Sequence, residues 1–202
     1  MTDMWSLEKQ FYEQGFSVIC GVDEAGRGPL AGPVCAAAVI LPPNLEIPGL
    51  DDSKKLSDKK RRLLFPIIQE KALAYGIAFA DHQEIDQINI LQATYLAMER
   101  AIDQLQLRPD MVLIDGNRAK DFGVPVTTVV HGDSLSANIA AASVLAKVTR
   151  DNYMEEMAVM YPGYGFEIHK AYGTKAHYEA LRELGPSPIH RMTFLKKFYG
   201  TK

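Results

Sequence analysis

The run Phe16-Ser17-Val18-Ile19-Cys20 leads directly into Gly21-Val22-Asp23-Glu24-Ala25-Gly26-Arg27-Gly28-Pro29-Leu30-Ala31-Gly32-Pro33. A largely apolar segment closes on two adjacent carboxylates and then on an arginine held between glycines. Val18 to Asp23 reads as a buried strand. Asp23 and Glu24 supply hard oxygen ligands suited to Mg²⁺ or Mn²⁺. Glycine lets the backbone approach a ligand closely, and Arg27 presents a planar fork of donors to phosphate oxygens. An acidic strand end followed by a Gly/Pro turn would account for the glycines, but it needs no Asp, Glu and Arg together.

Working outward, Val34 to Leu41 and Tyr75 to Ala80 read as further strands, separated by a loop at Pro42, Pro43 and Pro48. A helix from Ser57, its N-cap, reaches about Leu73, with a kink or break expected at Pro66. Asn89 to Leu105 carries Leu91, Tyr95, Met98, Ile102 and Leu105 on one helical face. Met111 to Ile114 and Val124 to Val130 are short strands ending at Asp115-Gly116 and His131-Gly132-Asp133. An alanine-rich helix from Ser136 stops near Met160 before Pro162-Gly163, and two more, 174–184 and 193–199, follow. The order predicts an α/β fold: a mixed sheet flanked by helices, with a helical C-terminal extension.

With 202 residues the chain is expected to form a single domain, with 161–202 as a basic, substrate-binding portion. There is no apolar run long enough to span a bilayer and no secretory pattern at the N-terminus. Cys20 and Cys35, both in apolar segments, read as free thiols of a reducing compartment, which predicts a cytoplasmic protein without membrane partners. The net charge of −3 argues against indiscriminate nucleic-acid binding, but its distribution is informative. Residues 53–62 hold six basic residues against one acid, and 161–202 hold seven against three. Residues 81–133 hold nine acids against four basic residues, so an acidic centre is flanked by segments able to grip a polyanion.

Asp23, Asp115 and Asp133 each end an apolar strand beside a glycine. Strand ends at one sheet edge converge, and ligand sites of α/β sheets gather there. With Glu24 they suffice for two divalent ions, the arrangement that activates water on one side of a phosphodiester and stabilises the leaving oxygen on the other. Adjacent strand residues point to opposite faces, however, so Asp23 and Glu24 reach one metal only if the chain bends or Glu24 acts through its carbonyl or a water.

These motifs, with Asp52-Ser-Lys-Lys-Leu-Ser57, Ile114-Asp-Gly-Asn117, Gly132-Asp-Ser134, Ala141-Ala-Ser-Val-Leu-Ala-Lys-Val-Thr-Arg-Asp151 and His169-Lys-Ala-Tyr-Gly-Thr174, closely resemble those of the bacterial ribonuclease HII family from about Gly21 to Phe194. The resemblance implies an RNase H-like fold and a metal-dependent endonuclease, using two Mg²⁺ or Mn²⁺ ions, that cuts the RNA strand of RNA–DNA hybrids. It further implies cleavage on the 5′ side of single ribonucleotides in duplex DNA, leaving 3′-hydroxyl and 5′-phosphate ends. Roles in ribonucleotide excision repair and RNA primer removal would follow. The family's four metal-binding, catalytic carboxylates fall on Asp23, Glu24, Asp115 and Asp133. Its ribose-reading loop falls on Gly26, Arg27 and Gly28, and its junction-sensing tyrosine on Tyr172. The chain departs from the family's usual glycine at Ala171 and its frequent lysine at His131. The related ribonuclease HIII carries a threonine-like residue where Arg27 stands and an extra N-terminal domain; 22 residues before Asp23 leave no room for one.

Lys54, Ser143 and Lys147 join the expected substrate contacts, and Arg150 is weighed between phosphate contact and plain exposure. His169, His177 and His190 read as surface or substrate-proximal, and Trp5 as a packing residue. Residues 192–199 resemble a sliding-clamp-binding peptide through Leu195, Phe198 and Tyr199, against the simpler reading of an amphipathic helix docked on the core. Two other classes stand against the nuclease reading. A non-catalytic nucleic-acid-binding module should lack one of the acids, and a resolvase or transposase core lacks the Gly-Arg-Gly loop and tyrosine together.

Overall fold

A computed structural model of the protein describes residues 3–50 and 56–200. Helix α1 (Ser6–Glu13) precedes strands β1 (Ile19–Ala25) and β2 (Val34–Ile40). Then come α2 (Asp58–Lys71), β3 (Ala74–Ala80), α3 (His82–Asp103), β4 (Met111–Asp115) and β5 (Val126–Val129). A 3₁₀ turn at Gly132–Ser134 leads into α4 (Ala137–Met160), followed by α5 (Phe166–His169), α6 (Lys175–Leu184) and α7 (Met192–Tyr199).

The strands form one mixed sheet in the order β3-β2-β1-β4-β5. β2 runs antiparallel to β1 and β3, while β1, β4 and β5 are parallel, so β1, β4 and β5 end at one edge. Both faces are covered, which explains why the strands read as continuously apolar. Val34, Ala36, Ala38 and Ile40 of β2 share a core with Ala93, Ala97 and Met98 of α3. The alternate residues Cys35, Ala37 and Val39 pack with α2 and with Ala141, Ala142 and Leu145 of α4. The alanines of α4 permit close approach, and the sheet reciprocates at Gly21, where any Cβ would overlap the backbone of Asn138 and Ile139.

Ser57, Ser136 and Thr174 are the N-caps of α2, α4 and α6, each side chain accepting a backbone N–H three residues on. Helix α2 continues through Pro66 rather than breaking there. Its ends are held independently, by the Ser57 cap and by Leu64 and Ile68 in the core, which outweighs the one backbone bond that proline forfeits. Helix α3 starts seven residues before Asn89, at a capping box formed by Asp81 and Glu84. Asn89 is nonetheless a real boundary: it has φ 67° and ψ 164°, and its Oδ1 accepts the N–H groups of Leu91 and Gln92 as a second cap inside the helix.

The N-terminal helix α1 lies outside what periodicity suggested. It docks on the start of α4, where the buried Glu8 carboxylate accepts from Ser136 Oγ at 2.6 Å and Asn138 Nδ2 at 3.1 Å. Trp5 packs as expected, buried, with Nε1 donating to Leu45 O at 2.9 Å. Cys20 and Cys35 are buried free thiols, each pushed up by burial, Cys20 to about 12. No helix among the described residues is long and apolar enough to cross a membrane.

Candidate active site

At the common edge of β1 and β4 lies an open cleft of about 280 Å³. Asp23, Glu24, Ala25, Gly26, Arg27, Gly28, Arg61, Asp115, Ser143, Lys147 and Tyr172 line it. Five parts of the chain therefore meet where the sequence pattern placed its carboxylates. β1 is regular through Ala25, so Asp23 turns toward α4 and Glu24 toward α3, yet both reach the edge. Glu24, Arg27 and Asp115 also border an adjoining depression with Asn117 and Arg118, which extends the polar surface beyond the cleft.

Asp23 is strongly perturbed. Burial first, then the charges of Glu24 and Asp115, hold its carboxyl well above the ordinary range, against hydrogen bonds from Glu24 N at 2.7 Å and from Ser143. A buried carboxylate crowded by two others is a site that a cation stabilises. All the donors are oxygens, which fits Mg²⁺ or Mn²⁺ rather than a softer metal. Protein donors also hold two of these side chains. Glu24 pairs with Arg27 at 3.1 Å, and Asp115 Oδ1 accepts the Gly132 N–H at 2.7 Å. Among the described residues, no three His, Cys, Asp or Glu side chains converge as a ready-made metal cluster. Asp133, buried in the 3₁₀ turn, does not line the cleft, although its neighbour Gly132 is bonded to Asp115.

The loop residues meet the expected tyrosine. The half-exposed Tyr172 ring lies beside Gly28, 3.5 Å from where a Cβ would sit. Its neighbours Lys170 and Ala171 have φ of 49° and 65°, so Ala171 does occupy the left-handed conformation that favours glycine. The cost of roughly 1 kcal/mol is offset in part by burying its methyl group, worth about 0.8 kcal/mol. The segment is pinned by Leu30 N to Ala171 O at 2.8 Å and by Arg150 Nη1 to Lys170 O at 3.2 Å.

Ser143 sits on the cleft wall against Asp23, and Lys147 faces the cleft while its Nζ holds Asp151 at 2.7 Å. Lys54 lies outside the described residues. Arg61 is a cleft residue that the sequence did not single out from its basic run. Arg150 is neither a phosphate contact nor exposed; it is buried, and among the described residues its side chain donates only to backbone carbonyls. The histidines also depart from expectation: His177 and His190 are buried. His177 Nδ1 lies 3.0 Å from Tyr172 O, His177 Nε2 lies 3.0 Å from His190 Nε2, and Ser187 N donates to His190 Nδ1 at 2.8 Å. Their apolar side packs on Phe166, a requirement that charge patterning does not reveal. Helix α7 is docked through buried Leu195, with Phe198 against the Tyr178 ring.

Comparison with known proteins agrees with this geometry. The ribonuclease HII family model matches residues 20–197. A ribonuclease HII of Endomicrobium trichonymphae is 56% identical over 96% of this chain and 92% of its own length. A crystal structure of the ribonuclease H2 from Pyrococcus horikoshii superposes with a TM-score of 0.72, at 25% identity, over 88% of this chain and 93% of that one. The Bst-RNase HIII structure in complex with Mn²⁺ shares the fold, with a TM-score of 0.62 at 19% identity, over 88% of this chain and 67% of that one. The mixed sheet, the cleft at its edge and these matches together make the chain a type II ribonuclease H, a member of the ribonuclease HII family acting on RNA–DNA hybrids.

Proposed function

We propose that the protein cleaves the RNA strand of hybrids, and duplex DNA on the 5′ side of a single ribonucleotide, through Asp23, Glu24, Asp115 and Asp133. The observation that carries the reading is the buried Asp23 carboxyl at the meeting point of Glu24 and Asp115, in a cleft that also presents Arg27 and Tyr172. Two divalent cations, Mg²⁺ or Mn²⁺, would there supply an activated water and neutralise the leaving oxygen, leaving 3′-hydroxyl and 5′-phosphate ends. Asp23, between Glu24 and Asp115, would be the shared ligand, with Asp133 joining through the turn that Asp115 already holds.

The chain's other residues bind and orient. Arg27, 50% exposed at its side chain, can leave Glu24 for a phosphate, and Tyr172 can pack on the sugar beside the ribonucleotide. Ser143, Lys147 and Arg61 face the same strand path, and Lys54 with the basic 161–202 portion of this single domain would grip the duplex. Excision of ribonucleotides from DNA and removal of RNA primers follow from that specificity, in a cytoplasmic protein whose free thiols suit a reducing compartment. A sliding clamp engaging 192–199 would find Met192 and Tyr199 exposed. Undiminished clamp affinity after Phe198→Ala and Tyr199→Ala would exclude it.

The test is cleavage of a labelled RNA–DNA hybrid with Mg²⁺ or Mn²⁺, followed by end-group analysis. Cutting confined to the RNA strand, with 3′-hydroxyl ends, supports the reading; cyclic or 3′-phosphate ends would contradict the metal-activated water.

A further inference from the structure

We propose that Arg191 is a positioning residue for ribonucleotide selection. Its buried guanidinium fixes the peptide planes of the Gly26–Gly28 loop so that the N–H groups of Arg27 and Gly28 face the cleft. This deepens the functional reading above and rests on it.

Arg191 is fully buried and reaches back 165 residues. Its Nη2 donates to Gly26 O at 2.6 Å, Nη1 to Arg27 O at 3.0 Å and Pro29 O at 2.8 Å, and Nε to Gly32 O at 2.9 Å. Its own N–H donates to Leu30 O at 2.9 Å. Four of the five guanidinium donors are thus spent on one seven-residue loop. From the other side, Arg150 holds Ala31 O and Pro33 O, and a Cβ on Gly26 would overlap its side chain. Among the described residues neither arginine makes a salt bridge. Burial lowers Arg191 to about 9, still above neutral pH, so it stays charged, and among the described residues its side-chain acceptors are all carbonyls.

The orientation follows from peptide geometry. In a trans peptide the C=O and the following N–H point in opposite directions, and among the described residues there is no cis bond. The carbonyls of Gly26 and Arg27 turn inward to Arg191, so the N–H groups of Arg27 and Gly28 turn outward. Pro29 provides a check: its carbonyl accepts from Arg191, and the next N–H, of Leu30, points away to Ala171 O. Among the described residues neither outward N–H has an acceptor, and both residues are exposed on the cleft wall beside Tyr172. Two adjacent outward N–H groups form a nest for an oxygen of the ribonucleotide, its 2′-hydroxyl or the adjoining phosphate. Lysine cannot reproduce the fork, because one nitrogen cannot meet carbonyls spread from Gly26 to Gly32.

The test compares wild type and Arg191→Lys, without divalent cations, for binding to a duplex carrying one ribonucleotide and to the same sequence in DNA alone. A loss of overall structure would weaken both affinities alike. The account expects the variant's preference for the ribonucleotide duplex to fall about tenfold, roughly one hydrogen bond's worth, with affinity for DNA alone within about twofold. An undiminished preference overturns the proposal. A wild type with no preference overturns the functional reading instead, and this one with it. Should Arg191→Lys not fold, the amide resonances of Arg27 and Gly28 in the wild type decide. Both must shift with the ribonucleotide duplex and not with DNA alone; an equal response to the two overturns the assignment.

Discussion

The Asp115 carboxylate accepts the Gly132 N–H at 2.7 Å, so the acid that ends β4 also anchors the turn carrying Asp133. One candidate ligand thereby sets the position of another. Asparagine at 115 keeps an acceptor oxygen for Gly132 but loses the charge. Asp115→Asn is expected to retain its denaturation midpoint while losing activity by about 10²-fold or more. Asp115→Ala also strands the Gly132 donor and should cost about 1–2 kcal/mol in urea unfolding.

Asp23 is buried beside two other acids, so its charge opposes folding until a cation arrives. Asp23→Asn is expected to raise thermal stability in the absence of metal while activity falls about 10²-fold or more. Mn²⁺ should raise the wild-type melting temperature and leave that of the variant nearly unchanged; scanning calorimetry reads both.

Two glycines of the Gly26–Gly28 loop are expected to respond differently to one methyl group. A Cβ on Gly28 meets only the Tyr172 ring at ordinary contact distance, so Gly28→Ala should fold normally. Gly26 has φ 98° and lies on the Arg150 side chain, so Gly26→Ala combines backbone strain with overlap. A loss of about 2–4 kcal/mol is expected from denaturant unfolding.

The buried histidine chain makes the fold acid-sensitive. A carbonyl only accepts, so His177 Nδ1 donates to Tyr172 O, His190 Nε2 donates to His177 Nε2, and His190 Nδ1 accepts from Ser187. Every step uses a neutral ring. Burial, then the neighbouring His177, lowers His190 to about 4, and burial lowers His177 as well. The unfolded chain therefore binds more protons below pH 6.5, so stability falls as pH drops from 6.5 toward 4. His190 alone accounts for about 3 kcal/mol over that window. Urea midpoints at pH 7, 5.5 and 4.5 should decline steadily, and less steeply in His190→Gln.

Much of this was legible in the sequence, for identifiable reasons. β1 and β2 declared themselves because burial on both faces leaves no polar alternation to misread. Ser57 announced helix α2 because a cap acts locally. What stayed hidden depends on distant partners. Helix α1 is held by Glu8 against α4, and α2 survives Pro66 because its flanks are packed. Arg150 reads as a phosphate contact or an exposed charge, and Arg191 as one more charge of the basic 161–202 portion, until the carbonyls of a loop more than a hundred residues away are placed around them. The cleft was anticipated from Asp23, Glu24 and Asp115, but the sequence could not tell that Asp133 is buried and does not line it.

The most direct test is mapped cleavage of an end-labelled DNA duplex carrying one ribonucleotide, with Mg²⁺ or Mn²⁺, beside the same duplex in DNA alone. The account predicts a single cut on the 5′ side of the ribonucleotide and none in the control. Equal cutting of both, or none of either with binding retained, would contradict it.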